Sequence, residues 1–177
     1  MEKKIRRDDA LQALLDKQEI YEALMRYCRA VDRCDEQLLR SVYHPDAIDD
    51  HGVFKGKASD FVDFAMAALE PIKLTSHSVS NVLIEVEGDT AYSEAYVTAF
   101  HRIEKEGKDY DVILGGRYID RFERRNGVWK IAQRRLVFEW TRNDVSTEEL
   151  GTGSIVGGLK GDFLIGLRGP EDIVYQR

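Results

Sequence analysis

Gly116-Arg-Tyr-Ile-Asp-Arg-Phe-Glu-Arg-Arg-Asn-Gly-Val-Trp-Lys-Ile-Ala132 decides the architecture of this chain. Asn126-Gly127 near its centre is a pair that a type I′ hairpin turn selects, because both central residues must take positive φ. The turn joins two long strands, expected over 110–123 and 128–140. Toward the N-terminus, a strand of small and aromatic residues covers 91–104 and turns at Gly107. Before it, Val82, Ile84 and Val86 alternate with polar positions as far as the Gly88-Asp89 turn. Further upstream the period becomes helical. Leu11, Leu14, Leu15, Ile20, Leu24, Cys28 and Val31 mark a helix over 9–31. Leu38, Leu39 and Val42 mark a short one over 35–43, stopped by Pro45. An extended piece then spans 46–54. Ser59 is the expected N-cap of a third helix, with Phe61, Phe64, Ala65 and Ala68 as its buried stripe and Pro71 ending it. Helices followed by hairpin-linked strands describe an α+β domain with an antiparallel sheet, which encloses a pocket if it curls around the helices.

The chain has 177 residues, 43% hydrophobic and 33% charged, with a formal net charge of −6. That suits one domain over 1–143, followed by a glycine-rich extension over 144–177. The acidic balance argues against nucleic-acid binding, which needs a concentrated basic face. No run approaches the ~18 apolar residues of a membrane span, and the charged start with a short Leu11–Leu15 apolar run is unlike a cleavable leader. Cys28 and Cys34 form no zinc or redox motif, so reduced thiols in the cytoplasm are expected. In the extension, Ile155, Val156, Leu159, Phe163, Leu164, Ile165 and Leu167 are too apolar for a free linker. They are expected to pack over the pocket mouth or against a neighbouring subunit. Gly151-Thr-Gly153 lacks the spacing and the preceding strand of a dinucleotide fingerprint.

Candidate functional residues are polar groups at positions where the period expects apolar ones. Leu24, Cys28 and Asp32 lie four apart, so Asp32 continues a buried row at the helix end; its alternative role is to cap the next helix. His77 shares strand parity with Val79 and Leu83. Alone it reads as a structural histidine; beside an inward Asp32, its Nδ1–H is held and Nε2 is free to accept a proton. Arg134 shares parity with Ala132, Leu136, Phe138 and Trp140 and needs an anion, either a structural carboxylate or part of a substrate. His101 follows Ala95, Val97 and Ala99 on one face, bordering a cavity or ending the strand in solvent. Tyr27 lies one residue off the Cys28 row, its hydroxyl either catalytic or the wet tip of a core tyrosine. His44-Pro-Asp46 and Asp49-Asp50-His51 carry metal-type ligands, but an extended segment splays neighbouring side chains apart. They read as a solvated loop, and no metal is expected. Arg121 to Arg125 reads as a solvated hairpin.

The 116–132 hairpin resembles the closing hairpin of SnoaL-like proteins, in the nuclear-transport-factor-2-like superfamily. Ala30-Val-Asp32 and Thr75-Ser-His77 fit the same family, and the resemblance spans roughly 9–140. It implies a curved antiparallel sheet wrapped around N-terminal helices as a cone with an internal pocket. Its enzyme branches include scytalone dehydratase, the lindane dehydrochlorinase and bile-acid 7α-dehydratase. By that resemblance Asp32 matches the orienting aspartate and His77 the base. Arg134 matches a pocket arginine, Tyr27 is placed like a tyrosine of the bile-acid enzyme, and His101 corresponds loosely to a second polar residue. The implied activity is a cofactor-independent lyase, a dehydratase or dehydrohalogenase, acting on an apolar ring-containing molecule. An isomerase or polyketide cyclase uses the same parts. The alternative class is non-catalytic: a ligand-binding protein, or an assembly subunit like the small subunits of ring-hydroxylating dioxygenases. The family implies a homodimer or homotrimer.

Overall fold

The computed structural model describes residues 7–146, 155–156, 159–160, 164 and 166–176. Helix α1 (Arg7–Arg33) is followed by α2 (Glu36–Ser41), strands β1 (Tyr43–Asp50) and β2 (Lys55–Lys57), and α3 (Ala58–Leu69). Four long strands complete the domain: β3 (Leu74–Glu87), β4 (Thr90–Lys105), β5 (Lys108–Arg125) and β6 (Val128–Val145). They form one curved, unclosed sheet in the order β2-β1-β6-β5-β4-β3, antiparallel except where β1 runs parallel to β6. The α+β class and the helices-then-hairpins order agree with the sequence pattern. No helix among the described residues is long and apolar enough to cross a membrane.

The turns follow local chemistry. Asn126 and Gly127 take φ of 53° and 77°, and Glu106-Gly107 closes β4–β5 with φ of 54° and 73°. Asp35 caps α2 by accepting the Leu38 amide at 2.9 Å, so α2 has a cap that is not Asp32. Three local expectations are corrected. The N-cap of α3 is Lys57, without a side-chain cap, and its buried stripe is Ala58, Phe61, Val62, Ala65 and Leu69. Phe64 and Ala68 are exposed and border the cavity described below. Pro45 does not stop a helix: α2 ends at Ser41, and Pro45 sits inside β1, where the pairing with β6 shifts register.

The core lies between the helices and the concave sheet face. Ile20, Leu24, Leu39, Phe122, Trp129 and Ile131 are almost wholly excluded from water, each such side chain contributing about 1.5–3 kcal/mol. Leu11, Leu14 and Leu15 of the expected helical stripe are exposed. The buried face begins instead at Asp16, whose Oδ1 accepts from Trp129 Nε1 at 3.0 Å and from Arg124 at 2.8 Å. Arg124 also pairs with Asp89, and Arg125 with Asp46, so the basic hairpin is neutralised by salt bridges.

Two bulges change which side chains face inward. At Asn81, with φ of 48°, the β3–β4 pairing slips between Ser80 and Leu83. Leu83, expected to share the His77 face, is therefore 68% exposed, while Val82, Ile84 and Val86 pack on the core. A second slip falls between Gly116, opposite Phe138, and Gly115, opposite Trp140, so Trp140 leaves the row of Ala132, Arg134 and Leu136 and is about half exposed, while Phe138 stays on that row at the cavity rim. In the extension, Asp172 pairs with Arg33 and Arg168 donates to the Leu69 carbonyl. Leu164 and Leu167, expected to pack, are exposed. The packing expected of Ile155, Val156, Leu159, Phe163 and Ile165 lies outside the described side chains.

Candidate active site

Between α1, α3 and the sheet is a cavity of about 290 Å³. Its wall is mostly apolar, including Val31, Phe61, Ala65, Leu114 and Leu136, with exposed Val53 and Phe138 also contributing. The polar groups on that wall are three histidines, His51, His77 and His101, and the Tyr27 and Tyr118 phenols. Apolar enclosure with a few converging polar groups is the form of a small-molecule site.

Asp32, in the last turn of α1, meets His77 on β3. Its Oδ1 accepts from His77 Nδ1 at 2.7 Å, and its Oδ2 accepts from the His77 backbone amide at 2.9 Å. An ionised carboxylate only accepts, so Nδ1 carries the proton and Nε2 has the free lone pair. The amide bond fixes the carboxylate relative to the strand, which fixes the ring. The sequence expectation that Asp32 and His77 come together corresponds to this contact, and Asp32 is not a helix cap.

His101 on β4 stands edge-to-face against His77, ring centroids 5.3 Å apart. Burial, aided by the nearby His77, lowers its pKa to about 4. It is therefore a neutral imidazole on the cavity wall, and its buried Nδ1 has no hydrogen-bond partner among the described residues. Cys28 is buried as well, and desolvation pushes its thiol up to about 12, so it is no thiolate nucleophile.

Arg134 does not reach the cavity, in contrast to its expected substrate-binding role. It is fully buried, and its Nε and Nη2 donate to Asp120 Oδ1 and Oδ2 at 2.8 and 2.6 Å. The guanidinium lies between the Tyr27 and Tyr118 rings, 4.0 Å from each centroid. Of the two anions open to it in the sequence, the structural carboxylate is the one present. A bidentate pair sandwiched by aromatic faces leaves it no free fork for a substrate.

Tyr27 is buried, and burial raises its hydroxyl well above the usual phenol range. That hydroxyl is 3.2 Å from His51 Nε2. His51 Nδ1 in turn hydrogen-bonds Asp49 Oδ1, and Tyr43 donates to Asp49 Oδ2 at 2.6 Å. Asp49 is wholly buried. The sequence reading of 49–51 as a solvated loop is thus corrected: Asp49 belongs to strand β1. The signal available was parity, since Ala47, Asp49 and His51 alternate along the segment and the first two are buried. His44 Nε2 donates to the Glu123 carbonyl at 2.8 Å, a structural bond. Among the described residues no three His, Cys, Asp or Glu side chains are grouped to hold a metal ion.

Residues 12–135 match the family model of the SnoaL-like domain. Comparison with curated proteins found no match. Among solved structures, a proposed scytalone dehydratase from Novosphingobium aromaticivorans shares 26% identity, with 73% of this chain and 88% of that one covered, at a TM-score of 0.66. A hexachlorocyclohexane dehydrochlorinase, LinA-type3 from Novosphingobium barchaimii, is 21% identical over 76% of this chain and 93% of that one, with a TM-score of 0.67. A cystatin-like-fold protein of unknown function from Nostoc punctiforme is 22% identical over 71% and 92%, with a TM-score of 0.57. Since the family match covers more than half of the chain, and the helices and sheet have the fold of these structures, the chain belongs to the SnoaL-like domain family.

Proposed function

We propose that this protein is a cofactor-independent lyase that removes a proton and a leaving group from neighbouring carbons of an apolar, ring-containing small molecule. One observation carries this reading: the Asp32-held imidazole of His77 on the wall of an open apolar cavity. In the reaction, Nε2 of His77 takes the proton next to a carbonyl. General-base catalysis of this kind contributes ~10²–10⁴-fold. Asp32 holds the tautomer and stabilises the imidazolium that forms. His101, neutral through the working range, and the Tyr27 hydroxyl offer donors to substrate oxygen. Arg134 serves the site indirectly, by fixing the Tyr27 and Tyr118 rings. The assembly-subunit alternative gains less support, because it calls for a cavity filled with side chains. The dehydratase and dehydrochlorinase names among the similar structures are consistent with the reading.

Proton removal can be measured without knowing the substrate. Deuterium incorporation at the α-carbon of 1-indanone in D₂O reports it directly. We expect the wild-type protein to accelerate exchange and His77→Ala to lose it by ~10²-fold or more, with the melting temperature nearly unchanged. Asp32→Asn should lose most of the rate as well. Exchange that survives His77→Ala, or a variant that no longer folds, would favour a structural polar network instead.

A further inference from the structure

The cavity holds a second imidazole steered by a carboxylate. His51 Nδ1 is bonded to Asp49, whose other oxygen accepts from Tyr43 at 2.6 Å, and Nε2 faces the Tyr27 hydroxyl at 3.2 Å. The ring is fixed by stacking on Phe61, centroids 4.3 Å apart. Both His51 and Tyr27 line the same cavity as His77. One histidine–aspartate pair is enough to take a proton from carbon. A halide then departs as a stable anion and needs nothing further, whereas hydroxide departs poorly unless a proton is delivered to its oxygen. A second pair connected to a phenol is therefore machinery that only an oxygen leaving group requires.

We propose that His51, held by Asp49 and acting through the Tyr27 hydroxyl, delivers the leaving-group proton, and that the natural substrate loses water: a cyclic β-hydroxy carbonyl compound. This rests on the elimination reading above and sharpens it. In the step, the α-C–H bond breaks and its proton moves to His77 Nε2, the electron pair forming the new C=C bond. The C–O bond breaks with its pair on oxygen. That oxygen takes the Tyr27 hydroxyl proton while the Tyr27 oxygen takes the Nε2 proton of His51, which enters the step as the imidazolium and leaves it as the neutral ring with Nδ1–H on Asp49. Products are the unsaturated carbonyl compound and water. His77 then loses one proton to solvent and His51 regains one, restoring the starting state. Tyr27 never carries a net charge, which fits a phenol whose burial opposes ionisation. His51 contacts Asp49 of β1, Tyr27 of α1 and Tyr118 of β5, with the closed Arg134–Asp120 ion pair behind the two tyrosines. Tyr27 is the catalytic residue in this step; His51 and Asp49 supply and position its proton.

The test compares two probes, 3-hydroxy-1-indanone and 3-chloro-1-indanone, whose conversion to the same indenone is followed by absorbance. His51→Gln should lower the ratio of water elimination to chloride elimination by ~10²-fold or more. An unchanged ratio overturns the proposal, as does a wild-type protein that eliminates chloride alone. Should the variant fail to fold, Tyr27→Phe decides: it removes the donated proton, keeps the ring that faces Arg134, and should lower the same ratio by ~10²-fold or more. An unchanged ratio in Tyr27→Phe overturns the proposal. A wild-type protein that converts neither probe, and exchanges no deuterium into 1-indanone, removes the elimination reading and this inference together.

Discussion

Histidine 101 shows how one residue's surroundings set both its chemistry and its contribution to stability. Its pKa is lowered to about 4 by burial and by His77, against about 6.5 for a free histidine. Between these values the unfolded chain binds a proton at this site and the folded chain does not. The unfolded state then holds more protons, so stability rises with pH across the window and falls on acidification from 6.5 toward 4. Above 6.5 both states are neutral and the contribution is constant. Replacing His101 with Asn should remove this dependence. Urea unfolding between pH 4 and 7 should show the wild type losing about 2–3 kcal/mol more than His101→Asn on acidification; parallel profiles would mean that the imidazole titrates normally. Arg134 is the opposite case, a charge kept at full burial by two hydrogen bonds from its own fork to Asp120 and two aromatic faces. Its inward position was legible from strand parity. Its partner was not, because a regular Asn126-Gly127 hairpin sets Ile119 across from Arg134, and the register slip between Arg121 and Phe122 substitutes Asp120.

At the scale of elements, the β5–β6 hairpin owes its bend to two adjacent glycines. A Cβ on Gly116 would lie 2.4 Å from the Val137 carbonyl oxygen, a backbone atom that cannot turn aside. One on Gly115 would first meet the half-exposed Trp140 indole, a side chain that can swing outward. Gly116→Ala should therefore destabilise the protein by about 1–3 kcal/mol, measured by thermal or urea unfolding, and Gly115→Ala by less. Equal effects would show that the bulge is not pinned at Gly116. These details also mark what the sequence could carry. Helical spacing, the Asn-Gly turn and the alternation of Val82, Ile84 and Val86 express local preferences, and the corresponding elements formed. Bulges at Asn81 and Gly115-Gly116 depend on long-range pairing, so the inward row could not be followed past them, and Leu83 and Trp140 fell on unexpected faces. The Asp32–His77 contact was legible because each residue interrupts its own period. Asp49–His51 was not, because the alternation of Ala47, Asp49 and His51 is carried by polar side chains, which resemble a solvated loop, with Ile48 on the exposed face.

For the whole molecule, the end of the chain returns to the edge of the cavity. Asp172 is buried, accepts the amides of Leu167 and Val174 at 2.9 and 3.0 Å, and faces Arg33 at 3.3 Å, next to Asp32 in sequence. Arg168 donates to the carbonyl of Leu69 at 2.6 Å, and Leu69 lines the cavity. Tyr175 donates to Asp35, the cap of α2, at 3.0 Å. This segment therefore joins the ends of α1 and α3 and the start of α2 without adding to the main sheet. The amides hold the Asp172 carboxyl below the ordinary carboxylate range, so its anchoring is present at neutral pH and is lost as pH falls through that lowered value. Asp172→Ala should raise amide hydrogen exchange at Leu167 and Val174 and, by a smaller factor, in the last turns of α1 and α3. Strands β4 to β6 should keep their protection, because local opening of a terminal segment need not involve the core. Faster exchange across those strands instead would mean that residues 166–176 unfold together with the sheet, as part of one cooperative unit.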